Sequence, residues 1–396
     1  MKEIYINGSG VPYSSLHPIL KNFYKKLEKN NNISYINFLK ENKNTKHIPK
    51  NFDKKGIQSF ITKIKGKINS LHPRIYIIKN KYNQDIITAN NFLLTKNNYY
   101  IVTSGLIQFS GFKYKSLYNK VFKIFFKKHL LSSKLKNIFV YSQTAIDEFK
   151  KYFKEELKLN KGEYKKAVNK LVLYYPELVN MNKVDENDIK KRINKSEKIK
   201  FLFIGRNFVG KGGKELIEAL EIISKDETID KNSFEISIIT EFSDNYKKEL
   251  EKLTNININT YGIDFTQEEL EERFYKTHHV LLHLTRADIF GMVSLESKKS
   301  GLAVITTKQY VNYPELFKEN EALFVGIDEK YNWNDGLPKI DYLDAWYQNT
   351  NFIYENQICS SIKEILTNKS KLLELSLNNL QSLERFENKI NLDKYL

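Results

Sequence analysis

The chain has 396 residues, with 41% apolar and 28% charged side chains, so it is a globular sequence of two or more domains rather than a disordered one. A single cysteine, Cys359, excludes a disulfide framework and a cysteine metal centre. The formal net charge of +17 admits three kinds of anionic partner: nucleic acid, a membrane surface or a phosphorylated ligand.

Ile4–Ile6 reads as a strand closed by Gly8 and Gly10, and Leu16–Glu28 as a helix. The N-terminal MKEIYINGSG lacks the apolar stretch of a signal peptide, and no window reaches about 18 consecutive apolar residues. The expected location is the cytoplasm. Arg74–Ile78, Tyr99–Thr103 and Asn137–Tyr141 are short runs of β-branched and aromatic residues bounded by polar ones, the pattern of buried parallel strands. Ser116–Leu131 and Gln143–Phe153 are helical between them. Lys113–Lys170 holds 16 Lys against 5 acids, a local excess of +11. Its segment KYKSLYNKVFKIFFKKHLL sets aromatic and aliphatic side chains on one face and lysines on the other. That fits an anionic membrane surface, with peripheral attachment to the inner face, and equally a core helix with a solvated basic side.

Pro176–Lys198 is polar and charged and reads as a linker. A second strand–helix series follows: strands at Ile199–Ile204, Phe234–Ile239, Asn257–Tyr261, Val280–Leu284 and Ala303–Thr306, with helices at Lys214–Ile223 and from Ser294 to Lys299. Leu372–Leu396 closes the chain as a helix. Alternating strands and helices predict α/β architecture, two Rossmann-like doubly wound domains facing across a cleft, with ligands outside the carboxyl ends of the strands. The expected division is 1–175, linker 176–198, 199–371, and a helix 372–396 returning to the first domain.

Two segments carry chemistry. In FLFIGRNFVGKGGKELIEAL a strand ends at Gly205-Arg206 and a glycine-rich loop with Lys211 leads into a helix. Glycines admit close backbone approach, a helix N-terminus favours an anion, and Arg206 and Lys211 add two cations, a set suited to a diphosphate. An ordinary strand–turn–helix with surface lysines gives the same pattern. In HLTRADIFGMVSLESKKSGLAVITT, Asp288 and Glu296 stand eight positions apart around a helix start. The amides of Phe290, Gly291, Met292 and Val293 would be open to an anion, and an acid inside the helix suits a ribose diol. Asp288 as a simple cap and Glu296 as a solvated acid explain the pair as well.

Together, Gly205-Arg206, Lys211 and the block from Asp288 through Phe290-Gly291 to Glu296 resemble the donor half of GT-B fold glycosyltransferases, the retaining family four. The resemblance is strong over Phe201–Thr307, moderate over Asn137–Phe153, and weak over the first hundred residues. It implies that Arg206 and Lys211 hold the donor diphosphate, that Glu296 binds the nucleotide ribose, and that Asp288 faces the transferred sugar. It further implies donor contacts from Gly205, from the Phe290–Val293 amides, from Gly262 and Ile263 near the nucleobase, and from Gly8 and Gly10. Ser104 and Gly105 fill the acceptor-side segment, where many members carry a His that this chain lacks. The implied reaction moves a hexose-type sugar from a nucleoside-diphosphate sugar to a glycan or lipid-linked acceptor, with retention, in surface polysaccharide or glycoconjugate synthesis. No cofactor and no metal are expected, since there is no Asp-x-Asp and the histidines are scattered. A GT-B sugar-nucleotide epimerase and a non-catalytic nucleotide-sugar-binding protein share much of this pattern. Nucleic acid is not an expected partner, because it leaves both blocks unexplained and no stacking motif is present.

Overall fold

The apolar runs bounded by Asn, Gly and Ser become short parallel strands, and the amphipathic stretches between them become the crossover helices. In the computed structural model the described residues are 3–7, 23–26, 32–36, 75–77, 85–90, 92–106, 118–178, 181–285, 288, 290–308, 310–326, 354–387, 392 and 395. The chain divides into two compact units, Met1–Glu177 with Asn388–Leu396, and Leu178–Glu387.

The first unit carries a six-stranded sheet with the order β2-β1-β4-β6-β7-β8. These strands are Asn32–Ile36, Glu3–Asn7, Asp85–Ala89, Tyr99–Thr103, Leu135–Val140 and Leu171–Leu173, all paired in parallel. β3 (Ile75–Ile77) and β5 (Phe92–Leu94) form a separate parallel pair. Helix α1 (Tyr118–Leu130) buries Phe122 and Phe126, whose ring lies 5.0 Å from Phe92 and 5.5 Å from Tyr152. Each such ring contributes about 1.5–3 kcal/mol by leaving water. Helix α2 (Gln143–Lys151) starts where the Ser142 hydroxyl caps the Ala145 amide, and α3 (Lys161–Val168) starts with a capping box from Asn160 and Glu163.

The second unit carries a six-stranded parallel sheet with the order β11-β10-β9-β12-β13-β14. In chain order these strands are β9 (Ile199–Asn207), β10 (Phe234–Glu241), β11 (Ile258–Tyr261), β12 (Val280–His283), β13 (Ala303–Thr307) and β14 (Leu323–Val325). Numbered within the unit the order is 3-2-1-4-5-6, the doubly wound dinucleotide-fold arrangement. β9 and β12 are neighbours whose following helices leave in opposite directions. Their carboxyl ends therefore open a crevice at the switch point, where such sheets bind ligands.

The polar stretch expected as a linker is instead structured. It contains helix α4 (Glu186–Lys195), capped by Asp185, and it belongs to the second unit. Ile189 and Ile193 lie one turn apart on its buried face. Gly301, at φ +57°, turns directly over Ile189, whose Cδ1 would lie 2.1 Å from an added Cβ. The closing helix also differs in extent. Helices α9 (Glu355–Thr367) and α10 (Lys369–Gln381), running on through Ser382–Phe386, lie in the second unit, and only 388–396 group with the first. Among the described residues, no helix is long and apolar enough to cross a membrane.

Candidate functional site

The carboxyl end of β9 is built for a tight loop. The Gly205 carbonyl accepts a hydrogen bond from the Thr240 hydroxyl on β10. The Lys211 side chain folds back across Gly205, so close that an added Cβ would lie 2.6 Å from its Cγ. Gly212 takes φ +83° and starts helix α5 (Gly213–Lys225). An added Cβ on Gly212 would meet the Leu284 carbonyl oxygen at 2.1 Å, and one on Gly213 would meet the Phe208 ring at 2.3 Å. The glycine pair is thus what lets the β9 loop close against the end of β12.

That end of β12 is pinned through its carbonyls. The His283 carbonyl accepts from the Thr306 hydroxyl at 3.0 Å, Leu284 from the Tyr354 hydroxyl at 3.1 Å, and Thr285 from the Thr307 hydroxyl at 2.7 Å. Beyond it, Asp288 forms an ion pair with Lys211, both side chains partly exposed. Helix α8 (Met292–Lys299) follows, with Gly291 at its N-cap, no side-chain cap and no acid in its first turn. Asp288 is therefore no helix cap; its carboxylate is turned to the lysine of the other loop. In the first turn of α8 the Ser294 amide donates back to the Gly291 carbonyl at 2.9 Å, and the helix N-terminus carries the partial positive charge that favours an anion. Phe290 is buried beside that end.

Glu296 is not a solvated acid. It is 7% exposed, and burial raises its pKa while the Tyr275 hydroxyl, donating to Oε2 at 2.5 Å, holds it down. Tyr275 is fully buried on the turn Glu271–Tyr275, which continues helix α7 (Gln267–Leu270). Arg192 on α4 binds both elements. Its guanidinium donates to the carbonyls of Tyr275 and Lys276 and to those of Ser300 and Gly301 at the end of α8. His283 lies beneath Gly291, 3.0 Å from where a Cβ would be, with its Nε2 buried and unbonded. Burial, with Lys211 nearby, lowers its pKa to about 4, so the ring is neutral at pH 7. Tyr275, Arg192 and His283 had no motif to announce them.

Residues 184–343 match the family model described as Glycosyl transferases group 1. Over the whole chain, sucrose-phosphate synthase from Thermosynechococcus elongatus is similar with a TM-score of 0.57 at 13% identity, covering 100% of this chain and 96% of that one. Anabaena Alr3699/HepE, in complex with UDP and glucose, is similar with a TM-score of 0.55 at 13% identity, covering 98% and 96%. WaaG, a glycosyltransferase involved in lipopolysaccharide biosynthesis, is similar with a TM-score of 0.53 at 13% identity, covering 96% and 95%. The chain has the GT-B fold, and part of its second unit matches the group 1 glycosyltransferase model. No curated protein matches it in sequence.

Within the second unit, the structure brings together Gly205, Lys211, Asp288, Phe290 and Gly291, with Met292, Val293 and Glu296 on the helix that Gly291 starts. Arg206 sits at the same strand end, exposed, with no partner among the described residues. Gly262 and Ile263 follow β11 at the same edge of the sheet, and nothing lies within 4 Å of a Cβ built on Gly262. Gly8 and Gly10 lie outside the described residues. Ser104 and Gly105 follow β6 in the first unit, where the Thr103 hydroxyl bonds both the amide and the carbonyl of Gly105. Among the described residues no three His, Cys, Asp or Glu side chains converge so as to hold a metal ion. The basic helix α1 is largely occupied within its unit. Phe122 and Phe126 are in the core, while Lys123 and Lys127 pair with Glu156 and Glu163. Of its large apolar side chains Ile124 stands out, 66% exposed.

Proposed function

We propose that this chain is a glycosyltransferase that moves a hexose-type sugar from a nucleoside-diphosphate sugar to a hydroxyl of a glycan or lipid-linked acceptor, with retention and without a metal. The observation that carries the donor reading is the Lys211–Asp288 pair beside the uncapped start of α8, at the switch point of the second sheet. A diphosphate there meets the Lys211 ammonium, the exposed Arg206 guanidinium and the α8 amides. These three supply the charge stabilisation that the leaving group needs as its bond to the anomeric carbon breaks. The acceptor oxygen takes that bond to the anomeric carbon, the diphosphate keeps the electron pair, and the hydroxyl proton is released overall. Asp288, partly exposed, can trade part of its contact with Lys211 for hydroxyls of the sugar. Glu296, one to two turns into α8, is set to accept from the ribose. Surface polysaccharide or glycoconjugate synthesis is the proposed setting, as lipopolysaccharide biosynthesis is for WaaG, and the inner face of the membrane is the proposed site of a lipid-linked acceptor.

A screen of UDP-, GDP- and ADP-hexoses for hydrolysis and transfer tests this reading. One donor class is expected to be consumed, and Glu296→Ala should raise its KM by about tenfold or more, as loss of a hydrogen bond to a charged group predicts. A chain that neither binds nor consumes any donor, or a Glu296→Ala variant with unchanged kinetics, contradicts it. Interconversion of one sugar nucleotide into another without transfer identifies an epimerase instead.

A further inference from the structure

Helix α8 carries the proposed diphosphate site at one end and two adjacent lysines at the other. Its eight residues, at about 1.5 Å each, span about 12 Å. Ser294 to Lys298 are all buried, so the helix is enclosed along most of its length. Successive side chains of a helix point about 100° apart, and Lys298 and Lys299 accordingly reach different segments. The Lys299 ammonium donates to the carbonyls of Leu178, at 2.8 Å, and of Met181, while its own carbonyl accepts from the Val184 amide at 2.9 Å. Lys298, fully buried, donates to Asn379 Oδ1 at 2.7 Å and to Ser382 Oγ at 2.6 Å. The Asn379 amide donates in turn to the carbonyl of Leu302, just past the helix, at 2.8 Å.

These are the segments through which the chain enters and leaves the second unit. It arrives from the first unit at Glu177–Leu178 and returns at Glu387–Asn388. Leu178 is the first residue after one crossing, and Ser382 opens the turn Ser382–Phe386 that stops just short of the other. A buried ammonium is costly to keep, and an apolar side chain would suit the Phe317 and Phe386 rings around Lys298 as well. What the lysine adds is a directional tie to the neighbouring segment.

Resting on the donor reading above, we propose that Lys298 and Lys299 are positioning residues that fix the carboxyl end of α8 to the two crossing segments, so that a diphosphate held at the amino end of α8 and order in those segments favour one another. Arg192 closes the same end of the helix from a third side, through the carbonyls of Ser300 and Gly301. A short, enclosed helix bonded at its far end passes a restraint at one end to the other, and such coupling is reciprocal. Nucleotide therefore stiffens the crossing segments, and cutting a tie weakens the nucleotide.

The test is hydrogen exchange by peptide on the full chain, with and without whichever of UDP, GDP and ADP binds most tightly by calorimetry. In the wild-type protein, saturating nucleotide should slow exchange about threefold or more in peptides covering 178–184 and in peptides covering 382–387. Lys299→Met should abolish the slowing in the first set and keep it in the second, Lys298→Met should do the reverse, and each should weaken nucleotide binding about fivefold. Lys299→Arg, whose guanidinium can still donate to both carbonyls, should restore the first response. Wild-type protein that binds nucleotide without slowing in either set, a Lys299→Met variant that keeps both responses, or variants that each lose both together, overturn this inference and leave the donor reading standing. Failure of all three diphosphates to bind overturns both. Should Lys298→Met fail to fold, the half-buried Lys299, through its Met and Arg variants, still decides the matter.

Discussion

At the residue scale, the loop glycines are no freer to vary than the charged groups. Gly212 combines φ +83° with a backbone carbonyl 2.1 Å from where a Cβ would stand, and a backbone atom cannot swing away as a side chain can. Gly212→Ala is therefore expected to cost on the order of 1–3 kcal/mol of stability for the conformation alone, and more for the displaced Leu284 strand end. Donor binding should weaken in parallel, because Lys211 and Asp288 are carried by the two segments that Gly212 brings together. Chemical unfolding and nucleotide titration of the same variant check this; a variant with wild-type stability and wild-type binding would show that the loop closes some other way. The acids and cations of this site were legible in the sequence as residue types at a spacing. What they touch was not. That Asp288 turns to Lys211 rather than capping α8, and that Glu296 is buried on Tyr275, depends on side chains 77 and 21 positions away. No local pattern encodes such contacts.

At the element scale, β9, β10, β12 and β13 were readable because each begins as a largely apolar run between polar residues. β8 and β14, three residues each, were not read as strands. α4 was hidden by its own composition: ENDIKKRINK carries two apolar residues, and those two suffice to dock it. α8 shows how a helix can be fixed at its far end. Lys298, fully buried, donates to Asn379 at 2.7 Å and Ser382 at 2.6 Å, with Glu321 at 3.4 Å, and its ammonium lies 4.4 Å from the centre of the Phe317 ring. Burial lowers its pKa to about 7, against an ordinary 10.5. Between those two values the unfolded chain binds the proton and the folded one sheds it, so stability should rise with pH from about 7.5 to 9.5, with the penalty fully present below about 7. Lys298→Met should flatten that rise, since Arg385 still compensates Glu321 through two hydrogen bonds. Denaturant unfolding at several pH values measures it, and an unchanged slope in the variant would assign the rise to another group.

At the scale of the whole molecule, acid should act on the two units unequally. His278, His279 and His283 are all buried in the second unit, and desolvation lowers each from an ordinary 6.5 to about 4. Each ring is held neutral by its surroundings; His279, for instance, accepts the Lys200 amide on Nδ1 while its Nε2 meets the Arg192 carbonyl. As pH falls from about 6.5 towards 4 the unfolded chain takes up these protons and the folded unit does not, so stability drains away through that window. At full protonation the loss is on the order of 3 kcal/mol per ring, a large part of the usual 5–15 kcal/mol of a domain. The first unit has one described histidine in the same condition, His129, also lowered by burial. Hydrogen exchange measured by peptide between about pH 7 and 4.5 should therefore show residues 181–326 and 354–387 losing protection before residues 85–178. Nucleotide binding should fail with the earlier event, because Lys211, Asp288 and Glu296 all stand in the unit that opens first. Simultaneous loss of protection in both units, or loss in the first unit ahead of the second, would mean that buried histidine does not set the acid limit of this fold.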